Sequence, residues 1–239
     1  MHVEKYTITA VGHLLRHYNR TAQNNGNPDI QPEKTKLNYN LCQREQSDFN
    51  YYKKRLSQVK CQNRTDVKTL CDWIITLPKQ NFTEEQEQQF FQSVYDFMSK
   101  RYGKENVISA WVHKDEAGQP HMHFCFIPIT MDKKKEIEKV SAKEVLTRNE
   151  LRAIHKELAT YMEKAFGYDV GILNGATAGG NRTITELKLQ DTQNELKEKK
   201  EELVALKQVK SQTVEELAET FRKKPSLISA ISQAIKMMM

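Results

Sequence analysis

Two stretches constrain this chain more than any others: NVISAWVH at 106–113 and HMHFCFIPIT at 121–130. Both are apolar, short and rich in strand-forming side chains, and KDEAGQP lies between them with Gly118 and Pro120 as turn residues. They are expected to pair as an antiparallel hairpin with a wide tip. Successive strand residues point to opposite faces. Met122, Phe124 and Phe126 therefore share a core face, while His121 and His123 share the other. His113 ends the preceding strand, across the hairpin. Three imidazoles are thus expected at one end of a sheet. Imidazole is the commonest nitrogen ligand of divalent metals, and softness alone suits zinc as well as manganese. Asp115 and Glu116, in the connecting loop, are placed to add a fourth ligand or a supporting partner. Isolated histidines are usually surface or satisfied core residues. Three within eleven positions, two of them on one side of a strand that is apolar on the other, favour a metal site.

Around this hairpin the periodicities read as an α+β fold, an antiparallel β-sheet flanked by helices and followed by a long C-terminal helical extension. Residues 3–9 read as a strand and Gly12–Gln23 as a helix; NNGNPDIQPEK is a loop. CDWIITLP at 71–78 is a strand that Pro78 ends. Thr83 and Gln86 have capping-box spacing before a helix with Phe90, Phe91, Val94, Tyr95 and Met98 on one face. Thr147 caps a further helix to Phe166, with Leu151, Ile154, Leu158 and Met162 inward, and Gly167 marks its end.

Composition shifts after Thr183, so a domain at 1–185 and a helical extension at 186–239 are expected. Leu189, Leu196 and Leu203 fall seven apart, with Leu206 beside them and no Gly or Pro nearby. This spacing fits a short coiled coil, and with it a homodimer through 186–210; it fits a solvated single helix equally. The formal net charge is +6. Residues 186–210 are neutral and 211–239 add one net positive charge, so the basic surplus sits on the part with the histidines. A basic domain favours a phosphodiester substrate. Four cysteines without a CxxC pair fit a reduced, cytoplasmic protein. The first twenty residues lack the apolar core of a signal peptide, and no stretch is apolar enough to span a bilayer.

GHLLRHYNR at 12–20 contains His17 and Arg20 three apart, and Arg16 and Arg20 four apart. On a helix, one face would carry a nucleophile beside guanidinium groups able to hold a phosphate. Three segments then match one pattern in order. HKDEAGQPHMH at 113–123 resembles the third motif, HxDExxPHxH, of the MobV (Pre/Mob) plasmid mobilisation relaxases, with one extra loop residue. HYNR at 17–20 resembles their first motif, HNxR, with Tyr18 where Asn is common. LNYNL at 37–41 resembles the second, NYxL. DWIIT at 72–76 and FGYDVGILN at 166–174 are also similar, and the likeness covers roughly residues 1–185.

The resemblance implies an HUH-type endonuclease that nicks and rejoins one strand at a plasmid origin of transfer, through a covalent link to the 5′ phosphate. It implies one divalent metal, Mn²⁺ or Mg²⁺, held by His113, His121 and His123 with Glu116 as a further ligand or catalytic group. His17 would be the nucleophile and Arg20 would steady the phosphate. Arg16, Arg20, Asn38 and Tyr39 would meet the DNA, single-stranded or hairpin. Two other functions fit parts of the pattern. A rolling-circle replication initiator of HUH type would use a tyrosine on a later helix, where Tyr161 stands, although its apolar neighbours indicate packing. A non-enzymatic DNA-binding protein would dimerise through the leucine helix with structural histidines. A zinc hydrolase of small substrates fits the basic balance less well.

Overall fold

The computed structural model describes residues 1–22, 27–173, 184–223 and 225–238. In chain order the elements are β1 (His2–Thr7), α1 (Ile8–Tyr18), β2 (Tyr39–Asn40), α2 (Asp48–Ser57), β3 (Lys68–Thr76), α3 (Glu84–Tyr102), β4 (Val107–His113) and β5 (His121–Phe126). There follow β6 (Ile129–Asp132), β7 (Ile137–Val140), α4 (Ala142–Val145), α5 (Arg148–Phe166), α6 (Ile184–Lys223) and α7 (Pro225–Met238). Two compact units emerge, residues 1–174 and 175–239.

The first unit is built on a five-stranded sheet in the order β1-β3-β5-β4-β2, antiparallel throughout. β4 and β5 pair as expected from the alternation, with His113 opposite His121 and Trp111 opposite His123. One face of the sheet carries Trp73, Ile75, Ala110, Val112, Met122, Phe124 and Phe126, packed with Phe90, Val94 and Met98 of α3 and Ile154, Leu158 and Met162 of α5. The other carries Leu70, Ile108 and Cys125, packed with Val11, Leu15 and Tyr18 of α1 and Tyr52 of α2. Because the period of a strand is two, the faces separate the histidines from the larger core.

The helix signals hold. Thr83 and Gln86 form both bonds of the capping box, and Thr147 accepts from the Glu150 amide. Gly167 ends α5 at φ +77°, the left-handed conformation that a β-carbon disfavours. Elsewhere the boundaries move. The first strand stops at Thr7 rather than residue 9, and the helix starts at Ile8 rather than Gly12. It also ends at Tyr18, because Arg20 turns to φ +56°; Gln23, the end expected for it, lies outside the described residues. The apolar run 121–130 is not one strand. Pro128, which has no amide to donate, separates β5 from β6, and β6 pairs with β7 as its own two-stranded ribbon.

In the second unit α6 runs for 40 residues, about 60 Å at 1.5 Å per residue. Leu189, Leu196, Leu203 and Leu206 are exposed on it. The composition shift at Thr183 lies outside the described residues. Among the described residues, no helix is long and apolar enough to cross a membrane.

Candidate active site

β4 and β5 bring the rings of His113, His121 and His123 together, with centroids 5.5, 5.1 and 5.2 Å apart. Each ring has one nitrogen committed outward. His113 Nε2 lies 2.8 Å from the Tyr18 carbonyl oxygen, His123 Nδ1 lies 2.8 Å from Asp72 Oδ2, and His121 Nδ1 lies 3.3 Å from the Gln119 carbonyl oxygen. Carbonyl and carboxylate oxygens only accept, so these nitrogens carry the protons and the opposite nitrogens keep their lone pairs. The result is directional. His113 Nδ1 is buried and has no hydrogen-bond partner. One ligand atom from each histidine falls within 4.8 Å of the others. An orphaned buried lone pair, two further imidazoles and outward partners that fix the ring orientation are what a divalent metal requires. Glu116 stands beside them, its carboxylate 3.6 Å from His113 Nδ1 and 3.8 Å from His121 Nε2. Burial, then the neighbouring His123, depresses His121 to a pKa of about 4; burial likewise lowers His113. The rings of His113 and His121 are therefore neutral donors at physiological pH.

The end of α1 lies directly over this cluster. Tyr18 is buried, stacks on His123 at 4.0 Å between centroids, and donates its hydroxyl to Asp72 Oδ2 at 2.5 Å. Burial, then the Asp72 charge, pushes its phenol far above the ordinary value. His17, one residue earlier, is half-buried. Burial and then the Arg20 charge lower its pKa, which favours the neutral imidazole, and Arg20 Nη1 lies 3.5 Å from its Nε2. Of the two candidates in the first motif, the tyrosine is locked into the core and the histidine is not.

Arg20 sits elsewhere than a helix face would place it. Since α1 ends at Tyr18, the spacing of four from Arg16 no longer aligns the two side chains; Arg16 is exposed. The Arg20 side chain is only 6% exposed and is taken up by carboxylates. Its Nε and Nη2 donate to Asp115 at 2.9 and 2.7 Å, Nη2 also to Glu116 at 2.7 Å, and Nη1 to the His17 carbonyl at 3.0 Å. The guanidinium thus joins α1 to the loop after β4 instead of standing ready for a phosphate. Burial acts to raise Asp115, but Arg20 outweighs it and holds the carboxyl at about 2. Asp115 is fully buried and also accepts from Thr35 Oγ1 at 2.9 Å. Replacing Arg20 with Ala would strand this carboxylate, and removing one partner of a buried pair costs about 3–5 kcal/mol. A denaturant titration should show Arg20→Ala destabilised by about 3 kcal/mol or more. A loss below about 1 kcal/mol would show that the pair does not hold the loop.

The second motif divides. Asn38 accepts from the Lys114 amide at 2.8 Å and so braces the strand end that carries His113. Tyr39 packs toward the apolar core on the opposite face, away from the histidines. Tyr161 belongs to that opposite side too: it is 38% exposed on α5, against Phe97 of α3, so its surroundings are less apolar than the sequence indicates. Sequence reasoning misses Asp72. Its signal is a lone carboxylate inside the buried strand LCDWII, a position that demands partners. It finds two, Tyr18 and His123.

The chain is similar to known proteins. Residues 1–178 match the Mob_Pre family model, described as plasmid recombination enzyme. A plasmid recombination enzyme of Bacillus thuringiensis is 33% identical over 177 residues, covering 72% of this chain and 38% of that protein. One of Streptococcus agalactiae is 33% identical over 207 residues, covering 82% and 40%. The chain therefore spans well under half the length of these curated relatives. Among solved structures, the MobM relaxase domain bound to plasmid pMV158 oriT DNA, a Mn-bound crystal structure at pH 6.8, aligns with a TM-score of 0.65 at 30% identity, over 79% of this chain and 96% of that one. A second crystal structure of that domain, Mn-bound at pH 5.5, gives 0.64 at 30% identity, over 79% of this chain and 97% of that one. The matched span holds the five-stranded sheet, the three clustered histidines and the end of α1, and the chain belongs to the Mob_Pre family of plasmid recombination enzymes.

Proposed function

We propose that this chain nicks and rejoins one DNA strand at a plasmid origin of transfer, with His17 as the attacking group and a divalent metal held by His113, His121 and His123. The observation that carries the reading is the convergence of three imidazoles, each with one nitrogen committed outward, beneath the helix end that presents His17. That the relatives of known structure are Mn-bound and oriT-bound supports both the metal and the substrate. Mn²⁺ is the metal proposed, with Mg²⁺ as the alternative of the same hard character, and Glu116 completes the donor set. When bound, the metal neutralises charge on the scissile phosphate.

The residues of the chain supply the rest. The neutral imidazole of His17 attacks phosphorus, the P–O3′ bond breaks, the 3′ oxygen leaves as a hydroxyl after taking a proton, and the imidazole gives up its own. A phosphoramidate to the 5′ phosphate results. Rejoining reverses the exchange, with the 3′ hydroxyl displacing the imidazole, so no nucleotide cofactor is consumed. Burial of Tyr18 excludes water beneath the site and fixes the ring of His123. Arg20 acts by holding Asp115 and Glu116 in place beneath His17. Asn38 positions the same loop, and Arg16, exposed on α1, is the side chain left to meet DNA.

The catalytic part is proposed to be 1–185 and the extension 186–239. For the extension we favour a homodimer through 186–210. Taking Leu189, Leu196 and Leu203 as one seam of a parallel pair sets Glu195 opposite Lys200 of the other copy, and Glu202 opposite Lys207. Cytoplasmic action is proposed, on plasmid DNA; the free thiols of Cys42, Cys61, Cys71 and Cys125 support a reduced compartment. A replication initiator working through Tyr161 is disfavoured, because that side chain lies across the sheet from the histidines.

Supercoiled plasmid DNA carrying the cognate origin, incubated with the protein and Mn²⁺ and run on denaturing gels, tests the reading. The expected result is one nicked strand with protein attached to its 5′ end, lost on chelation. Nicking that survives chelation, or a nick without attached protein, would overturn it.

A further inference from the structure

The β6–β7 ribbon is unused by the site. Its turn carries three consecutive lysines, Lys133, Lys134 and Lys135, followed by Glu136 at φ +51°. The turn is closed on itself: the Asp132 carbonyl accepts from the Lys135 and Glu136 amides at 3.1 and 2.8 Å, and the Asp132 side chain accepts from the Lys134 amide at 3.1 Å. All three lysines are exposed, and among the described residues none of their ammonium groups has a hydrogen bond or ion pair. Most of the nearby carboxylates are already engaged. Glu138 pairs with Arg55 at 2.8 Å and Glu144 with Lys139 at 2.8 Å, which leaves Glu136 as the exposed acid of the tip. Lys60, also exposed, lies along the edge of β7 toward the base of the ribbon, where its amide and carbonyl bond Glu138 and Val140.

The ribbon is also anchored. Ile129 and Val140 pack with Val59 and Cys61 in the cluster that contains Val11, Leu15 and Tyr18, so it belongs to the α1–α2 side of the sheet, the side of the histidines. Along that side it stands at the other end of β5. His121 begins the strand and Phe126 ends it, and at about 3.4 Å per residue this places roughly 17 Å between the two ends. Duplex DNA rises about 3.4 Å per base pair along its axis, so the length of β5 corresponds to about five base-pair steps.

We propose that the β6–β7 ribbon is a second DNA contact, in which Lys133, Lys134 and Lys135 hold the phosphate backbone of duplex DNA on one side of the cleaved single strand. The inference rests on the DNA-nicking reading above, and deepens it by giving duplex and single strand separate places on the protein. A tip of unpaired ammonium groups on a rigid two-stranded ribbon suits a duplex for two reasons. Phosphates are dense there, and a ribbon of this width fits a B-form groove. Lysine stems reach out from the turn without needing any base identity, so the contact sets position and not sequence.

The test uses the full chain and two fluorescent probes: a DNA hairpin of about ten base pairs, one helical turn, with a single-stranded tail, and the tail alone. The triple variant Lys133→Ala, Lys134→Ala, Lys135→Ala should bind the hairpin probe at least about tenfold more weakly, and its slope of log affinity against log salt should flatten by about 0.9 for each phosphate that is no longer neutralised. Tail binding should be unchanged, and a triple Lys→Arg variant should behave as the wild type. Equal affinity and equal slope for the hairpin probe would overturn the proposal, as would an equal loss on both probes. Failure of the wild type to nick, with hairpin binding still dependent on the lysines, would instead count against the nuclease reading and leave this one standing.

Discussion

Replacing His17 with alanine is expected to abolish attachment to DNA and to reduce nicking by about 10³-fold or more, since removal of a nucleophile leaves only binding and electrostatic assistance. Position separates it from the other candidate. Tyr18 is buried beneath the helix, stacked on His123, with its hydroxyl held by Asp72. It is thus a support of the site, and its phenol is the harder group to deprotonate. Tyr18→Phe should keep the adduct within about tenfold while losing about 1.5–3 kcal/mol of stability, the usual value of a hydrogen bond to a charged group. An adduct abolished by Tyr18→Phe alone would reverse the assignment. The pH profile adds a check. Burial and Arg20 hold the His17 pKa below 6.5, so the neutral nucleophile persists at that pH, and the nicking rate should fall only on further acidification as the ring takes up a proton. The adduct should be acid-labile, as phosphoramidates are. An acid-stable adduct would point to a phosphotyrosine.

The second large effect is expected on the metal. His123→Ala removes a donor outright, and Asp72→Asn removes the carboxylate that accepts from His123 Nδ1. Loss of such a supporting partner typically costs about 10–100-fold in metal affinity. Calorimetric titration with Mn²⁺ should therefore show Asp72→Asn weakened by about that factor and His123→Ala weakened further, with nicking falling in the same order. Unchanged Mn²⁺ affinity in both variants would sink the ligand assignment. Circular dichroism separates this from misfolding, because Asp72 also holds Tyr18. A loss of metal with native secondary structure is the informative outcome.

The site is legible in the sequence where alternation along a strand decides geometry. His113, His121 and His123 are spaced so that antiparallel pairing alone puts them on one face, and the strands pair in that way. What depends on tertiary partners is hidden. Asp72 reads as a stray charge until Tyr18 and His123 are found 54 and 51 residues away. Arg20 reads as a phosphate clamp when helical periodicity is extended past Tyr18; the left-handed turn at Arg20 ends the helix and sends its guanidinium to Asp115. In the fold, the long helices with strong caps and apolar stripes are visible, whereas α2 is not. Only Tyr52 and Arg55 of that helix are buried, too few to make a stripe. The start of β6 is concealed in the same way, inside an apolar run whose only punctuation is Pro128, while β7 is four residues of mixed polarity.

The bond from His113 to the Tyr18 carbonyl spans 95 residues, and so does the pair of Arg20 with Asp115. Contacts of such sequence separation form late, because the entropy of closing a long loop must be met before they are rewarded. The docking of the α1 end onto the histidine hairpin is consequently expected late in folding. During synthesis, the His17 segment emerges long before β4 and β5, so a growing chain holds no cutting centre until more than 120 residues have been made. On the proposed nicking function, the chain would in this way be inert while unfinished, through the order of its strands alone.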